Sequence, residues 1–345
     1  MNRSEERSPE AEAELQTGIR LTHEGHFAEA IPHLLAAQGR VPEAYAASFD
    51  LALCYVATGH SDDAIRILTK WTGGEHDTDV YNLLAQAYVG NAQSREALDS
   101  LEKAAAVTPQ NERLYLLIAD ACMGSQNYAL GLQVVDLGLR HLPDSARLHY
   151  QRGMFLSLLD QFDSGKNDLE LARRLAPGNT IAFVAAAQES MFEGDVPEAI
   201  RVAREGIKTG HQDFLLQTLL GEALLRSGIA PGQPEFDEAR NALETSVGER
   251  PNYAGSQLAL GKLYLLEDRT SDAIAHLEAA RQLNAGNPAV YSNLATAYRK
   301  QGNVQQAQSA LAILAKLNHE QAEKIRLAPG DRKVGYGEAA AAAPK

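Results

Sequence analysis

Nine times along this chain the same position of a helix is held by a residue with almost no side chain. The series runs Gly18, Ala52, Ala85, Ala119, Gly153, Ala187, Gly221, Gly261 and Ala295, mostly 34 residues apart. A second series follows in the next helix of each unit: Ala30, Ala64, Ala97, Gly131, Gly165, Ala199, Ala239, Ala273 and Ala307. Small residues recurring at a fixed period mark places where helix backbones must approach closely, and they identify a repeat architecture before any single element is assigned. The stretch SREALDSLEKAAAVTPQN (94–111) shows the local logic. Ala97, Leu101 and Ala104 fall on one helical face, and Pro109 cannot continue the hydrogen-bond ladder. Ala97 is expected to meet the partner helix, Leu101 to fill the seam and Ala104 to admit the next unit.

Each unit therefore reads as helix–turn–helix, and nine copies fit end to end between residues 11 and 321. Three residues after each first-helix small residue stands a mostly large one: Leu21, Tyr55, Tyr88, Cys122, Leu156, Ser190, Leu224, Tyr264 and Tyr298. Runs of alternating apolar and polar residues, which a sheet would need, are absent. The fold class expected is all-α, a solenoid superhelix of tandem hairpins. One copy is longer: Gly221 and Gly261 lie 40 residues apart, and Pro231, Gly232 and Pro234 predict an irregular loop over 227–236. Residues 1–10 read as a polar tail, 322–327 as a short helix capping the last unit's apolar face, and 328–345 as a flexible Ala-rich tail.

The phrases LGKLYLLEDRTSDAIAHLEAA (260–280) and LATAYRKQGNVQQAQSAL (294–311) resemble the tetratricopeptide repeat motif, and the resemblance extends over about nine-tenths of the chain. Two departures stand out. Gly131 and Gly165 replace the usual second-helix alanine at up to about 1 kcal/mol of helix propensity each. The copies near 45–77, 180–213, 254–287 and 288–321 lack the terminal proline. The resemblance implies that first helices line a concave groove and that the chain binds proteins there. On that geometry the groove presents Asp79, Asn82 and Gln86, then Arg113, Leu116, Asp120 and Met123, then Arg147, Tyr150 and Met154, then Val184, Gln188 and Met191.

The three internal methionines, Met123, Met154 and Met191, fall on this surface in consecutive copies; polarizable and unbranched, they suit an apolar guest of variable shape or, equally, packing between first helices. Arg113 and Arg147 share a column and can grip a carboxylate or pair with Asp79 and Asp120. Glu222, Lys262, Arg299 and Lys300 make the far end charged. Chaperone-tail receptors of this family use a Lys and Asn clamp, and here Leu15, Ile19, Phe49, Leu53, Asn82 and Gln86 stand in its place.

The net charge of −13, with no run of five basic residues, argues against nucleic acid as a partner. Cys54 and Cys122 sit in apolar helical segments and read as buried hydrophobes. No stretch has the length and apolarity to span or insert into a membrane, and the polar start MNRSEERSPEAEAE lacks a signal-peptide core, so a cytoplasmic location is expected. No phosphate-binding loop, serine elbow or zinc-protease motif occurs, and His23, His26 and His33 lack the carboxylate or Cys set of a metal site. The expectation is a non-enzymatic adaptor without cofactor or metal, binding a peptide or helix of a partner protein in the groove, with self-association left open. The alternative is an accessory subunit of an envelope, secretion or transferase complex that positions a separate catalyst.

Overall fold

The structure is a computed structural model describing residues 9–42, 44–74 and 77–327. The first half of the array is built from α1 (Pro9–His23), α2 (Phe27–Ala37), α3 (Ala44–Ala57), α4 (Ser61–Leu68), α5 (Asp77–Gly90), α6 (Ser94–Val107), α7 (Glu112–Gly124), α8 (Tyr128–His141) and α9 (Ala146–Leu158). The second half is α10 (Phe162–Leu175), α11 (Thr180–Glu193), α12 (Val196–Lys208), α13 (Phe214–Arg226), α14 (Pro234–Glu249), α15 (Ala254–Leu266), α16 (Thr270–Leu283), α17 (Pro288–Gln301) and α18 (Val304–Leu327). Together they form nine hairpins with no strand among the described residues. Each helix packs on the next in sequence, and every odd-numbered helix also touches the next odd-numbered one. The first helices thus make one continuous layer and the second helices back it.

The small-residue columns do what their spacing requires. All eighteen of those residues are buried. Leu34, Leu68, Leu101, Val135, Leu169, Ala203, Leu243 and Leu277, four residues after the second-helix small residue, are no more than 1% exposed. The hairpin turn is equally uniform. Gly25, Gly59, Ala92, Gln126, Asp160, Gly194, Gly228, Asp268 and Gly302 all have positive φ, between 57° and 85°, although four of them are not glycine. Packing on both flanks holds that left-handed residue where intrinsic preference alone would not.

Repeat 5 explains one departure from the motif. A Cβ on Gly165 would lie 2.8 Å from the carbonyl oxygen of Gly153 and 2.4 Å from Ser157 Oγ, and one on Gly153 would lie 2.9 Å from the Gly165 carbonyl. The two glycines face each other, so α9 and α10 approach more closely than an alanine permits. Gly165→Ala is therefore expected to lower stability by about 1–3 kcal/mol through overpacking, despite its better helix propensity. Thermal unfolding checks this; a rise in Tm would show that propensity outweighs the contact.

Three boundaries differ from the sequence reading. α1 begins at Pro9, inside the expected tail, with proline at a helix start where its missing N–H costs nothing. The same rule shortens the loop expected at 227–236: Pro234 and Glu235 already belong to α14, leaving Ser227–Gln233 irregular, with the Ala230 amide donating to Gln233 Oε1 at 2.9 Å. The expected cap at 322–327 is the continuation of α18, a helix of 24 residues. It is not a separate element, and Leu311, the last member of the seam column, is 40% exposed. Residues 1–8 of the tail expected at 1–10, and the whole tail expected at 328–345, lie outside the described residues.

Candidate functional site

The inner layer is the place to look for a binding surface, because its helices α5, α7, α9 and α11 present side chains from four successive repeats. The structure divides the residues expected there into three groups. Tyr150, Val184 and Met191 are buried at 6%, 1% and 9% exposure, inside the core that joins repeats 5 to 9. They support the surface and do not form it, which corrects the reading that they contact a guest. Asn82, Leu116, Met123, Met154 and Gln188 are half-buried, with Met154 packed on that same core and Leu116 and Met123 on the core of repeats 3 to 5. Arg113, Asp120 and Arg147 are exposed.

Pairing of the charged groups also differs from expectation. Arg147 lies 3.8 Å from Glu112. Asp120 accepts from Gln151 Nε2 at 3.0 Å and from Arg250 Nη2 at 3.4 Å. Arg113 has no ion-pair or hydrogen-bond partner among the described residues. Asn82 is engaged: its Nδ2 donates to the Leu114 carbonyl at 3.1 Å, and Gln86 Nε2 donates to Asn82 Oδ1 at 2.8 Å. This ties α5 to α7 and fixes their register.

The Asp120–Arg250 contact joins residues 130 positions apart in a molecule whose other contacts are almost all between neighbours. It is not isolated. A Cβ on Gly286 would lie 2.6 Å from Gln126 Oε1, and one on Gly124 would lie 3.9 Å from the Leu283 carbonyl. The end of α7 thus rests against the α14–α15 and α16–α17 turns, closing the superhelix across about four repeats.

Inside this closure lies a second group. The Tyr253 ring meets Phe214 edge-on at 5.2 Å, and the Arg250 guanidinium stacks 4.8 Å over Phe214. Burial holds the Tyr150 phenol well above its ordinary value, helped by the charges of Asp213, Glu222 and Asp120 and by Tyr253. Burial does the same for Tyr253, reinforced chiefly by Glu222 and Asp120. The Asp120 carboxyl, although its side chain is 43% exposed, is raised by desolvation from the groups packed around it, with Arg250 and Gln151 pulling it back in part. Arg250 and Tyr253 escaped the sequence reading because a repeat period says nothing about where the superhelix meets itself.

Glu222, half-buried on α13, is without a hydrogen-bond or ion-pair partner among the described residues. Burial pushes its carboxyl up from 4.5 to about 7, with Lys262 opposing. Between those two pH values the folded chain retains a proton that the unfolded chain releases, so this group's contribution to stability falls as pH rises through that window and is constant above it. Glu222→Gln is therefore expected to raise Tm at pH 8 and to change it little at pH 4.5. Equal effects at both pH values would contradict the assignment.

Another charged cluster lies between a first helix and its second helix. In repeat 5, His149 contacts Asp168 at 2.7 Å and the Pro143 carbonyl at 2.9 Å, and Arg152 donates twice to Asp168 at 2.7 Å. Although burial opposes it, these bonds hold the Asp168 carboxyl below the usual range. His149 and Asp168 are each 5% exposed, so this is a fastening between α9 and α10 and not a reaction centre. Among the described residues no three His, Cys, Asp or Glu side chains gather as metal ligands, and His33 bonds Glu14 at 2.5 Å. Cys54 and Cys122 are buried free thiols, the latter pushed up to about 12 by burial. Among the described residues no helix is long and apolar enough to cross a membrane.

A closed stack of helical hairpins with its first helices on one side is an α-solenoid. The chain belongs to the tetratricopeptide repeat family: one pattern of that repeat matches residues 21–87 and 264–326, and a second matches 82–146 and 232–288. It is 23% identical over 177 residues to the Hsp70-Hsp90 organizing protein 2 of Arabidopsis thaliana, covering 51% of this chain but only 29% of that protein. The chain therefore spans less than a third of this relative. Among solved structures, the APC/C hetero-tetramer Cut9-Hcn1 aligns over 94% of this chain and 70% of its own, at 17% identity and a TM-score of 0.54. A tetratricopeptide repeat protein from Parabacteroides merdae aligns over 75% of this chain and 100% of its own, at 16% identity and a TM-score of 0.47. At 17% identity the likeness to Cut9-Hcn1 is one of fold alone. Repeats of this family are protein–protein interaction scaffolds.

Proposed function

We propose that this chain is a non-enzymatic scaffold that holds a peptide or helix of a partner protein against its first helices, between α5 and α11. The observation that carries this reading is Arg113. It is exposed one helical turn before half-buried Leu116, with half-buried Met123 two turns further along α7, and it has no carboxylate partner among the described residues, whereas the neighbouring Arg147 and Asp120 are both paired. An unpaired guanidinium next to apolar surface suits a partner that brings its own carboxylate and an apolar side chain. Leu116, Met123 and Met154 supply apolar contact, and Gln188 sets register, while Asn82 holds α5 against α7. The clamp that family relatives use for chaperone tails is not available, since Leu15, Ile19, Phe49 and Leu53 fill those positions.

The test is position-specific photocrosslinking in cell extract, with a benzophenone side chain at Leu116 or, as a control, at exposed Gln133 on the second-helix side. Partner adducts are expected from Leu116 and not from Gln133. Arg113→Glu should weaken the captured interaction about tenfold, the scale of one charge-assisted hydrogen bond. Adducts only from Gln133, or binding indifferent to Arg113→Glu, would sink the proposal.

A further inference from the structure

The closure described above is made by a segment with the form of a ligand. Arg250, Pro251, Asn252 and Tyr253 form a tight turn, with the Tyr253 amide donating to the Arg250 carbonyl at 3.2 Å. Proline at the second position favours this turn. From its two ends the turn sends a guanidinium to Asp120 on α7 and a phenol ring edge-on against Phe214 at the start of α13. Gly255 leaves room for that ring: a Cβ there would lie 2.8 Å from it. A cation and an aromatic ring three residues apart therefore reach the inner layer from another part of the same chain.

We propose that this turn occupies part of the binding groove as an internal stand-in for the partner, and that the partner's own segment presents a Lys or Arg three residues before an aromatic ring and displaces it. The inference rests on the scaffold reading above and names the chemistry of its guest. Two features make displacement feasible. Both members of the Asp120–Arg250 pair are 43% exposed, and an exposed pair of this kind adds little stability. Arg250 also belongs to a turn between helices, so its release leaves the helix ladders intact. While the turn is docked it competes with any guest, and the apparent affinity falls by the fraction of molecules that are open.

The probe is a synthetic peptide of residues 248–255, acetylated and amidated, with a fluorophore at its amino end. An Arg250→Ala/Tyr253→Ala protein is expected to bind it at least fivefold more tightly than the unmodified chain, and adding Asp120→Ala should abolish that gain. X-ray scattering should show the double variant expanded, and Asp120→Arg/Arg250→Asp, which restores the pair with reversed sign, as compact as the unmodified chain. Equal peptide binding by the double variant and the unmodified chain, or a gain that survives Asp120→Ala, overturns the proposal. So does an expanded Asp120→Arg/Arg250→Asp protein whose circular dichroism is unchanged. The outcomes separate from those of the scaffold reading: crosslinks confined to Gln133 would remove that reading while leaving peptide binding intact. Loss of the peptide effect with Leu116 crosslinks intact would remove this inference alone.

Discussion

The structure depends on one contact made again and again: a residue with no side chain, or only a methyl group, receiving a leucine-sized residue from the paired helix. Gly18 receives Leu34, Gly221 receives Leu243 and Gly261 receives Leu277, each so close that a Cβ would overlap the incoming side chain. The seam residue becomes fully buried only because the next hairpin closes over it, and a buried leucine is worth about 1.5–3 kcal/mol. No hairpin can gain that by itself. The array is therefore stabilised by neighbours, and its last seam residue, Leu311, stands open where the neighbours run out.

The same geometry decides what the inner surface can offer. Close approach of first helices buries Tyr150, Val184 and Met191 and leaves a polar and half-apolar strip of Asn82, Arg113, Leu116, Asp120 and Met123 for contact. A strictly neighbour-to-neighbour solenoid would leave that strip open along its whole length. Here the superhelix turns tightly enough for the α14–α15 turn to reach α7, and the charge of Asp120 is answered from within the chain by Arg250.

Most of the fold could be read from residue spacing, because close backbone approach demands Gly or Ala and those residues return at a visible period. The hairpins, their seam residues and the buried cysteines all follow from it. The failures have one physical origin. Periodicity describes each unit and its nearest neighbours, so it was silent on the contact from Arg250 to Asp120, 130 residues away. It also placed Met191 on the surface, where small changes in helix rotation decide between groove and core. The proline rule was applied too broadly at Pro234, which opens a helix as readily as it ends one. Gly165 looked like a weak substitute for alanine until Gly153 was found facing it.

Native-state hydrogen exchange tests the central claim most directly, since it reports the opening free energy of each helix separately. If hairpins are stabilised by the ones beside them, amides of α7 to α14, flanked on both sides and held by the closure, should exchange slowest. Protection should fall stepwise toward α1 and most steeply along α18 beyond Leu311. Terminal hairpins as protected as the central ones, or a single opening free energy for every helix, would contradict the account.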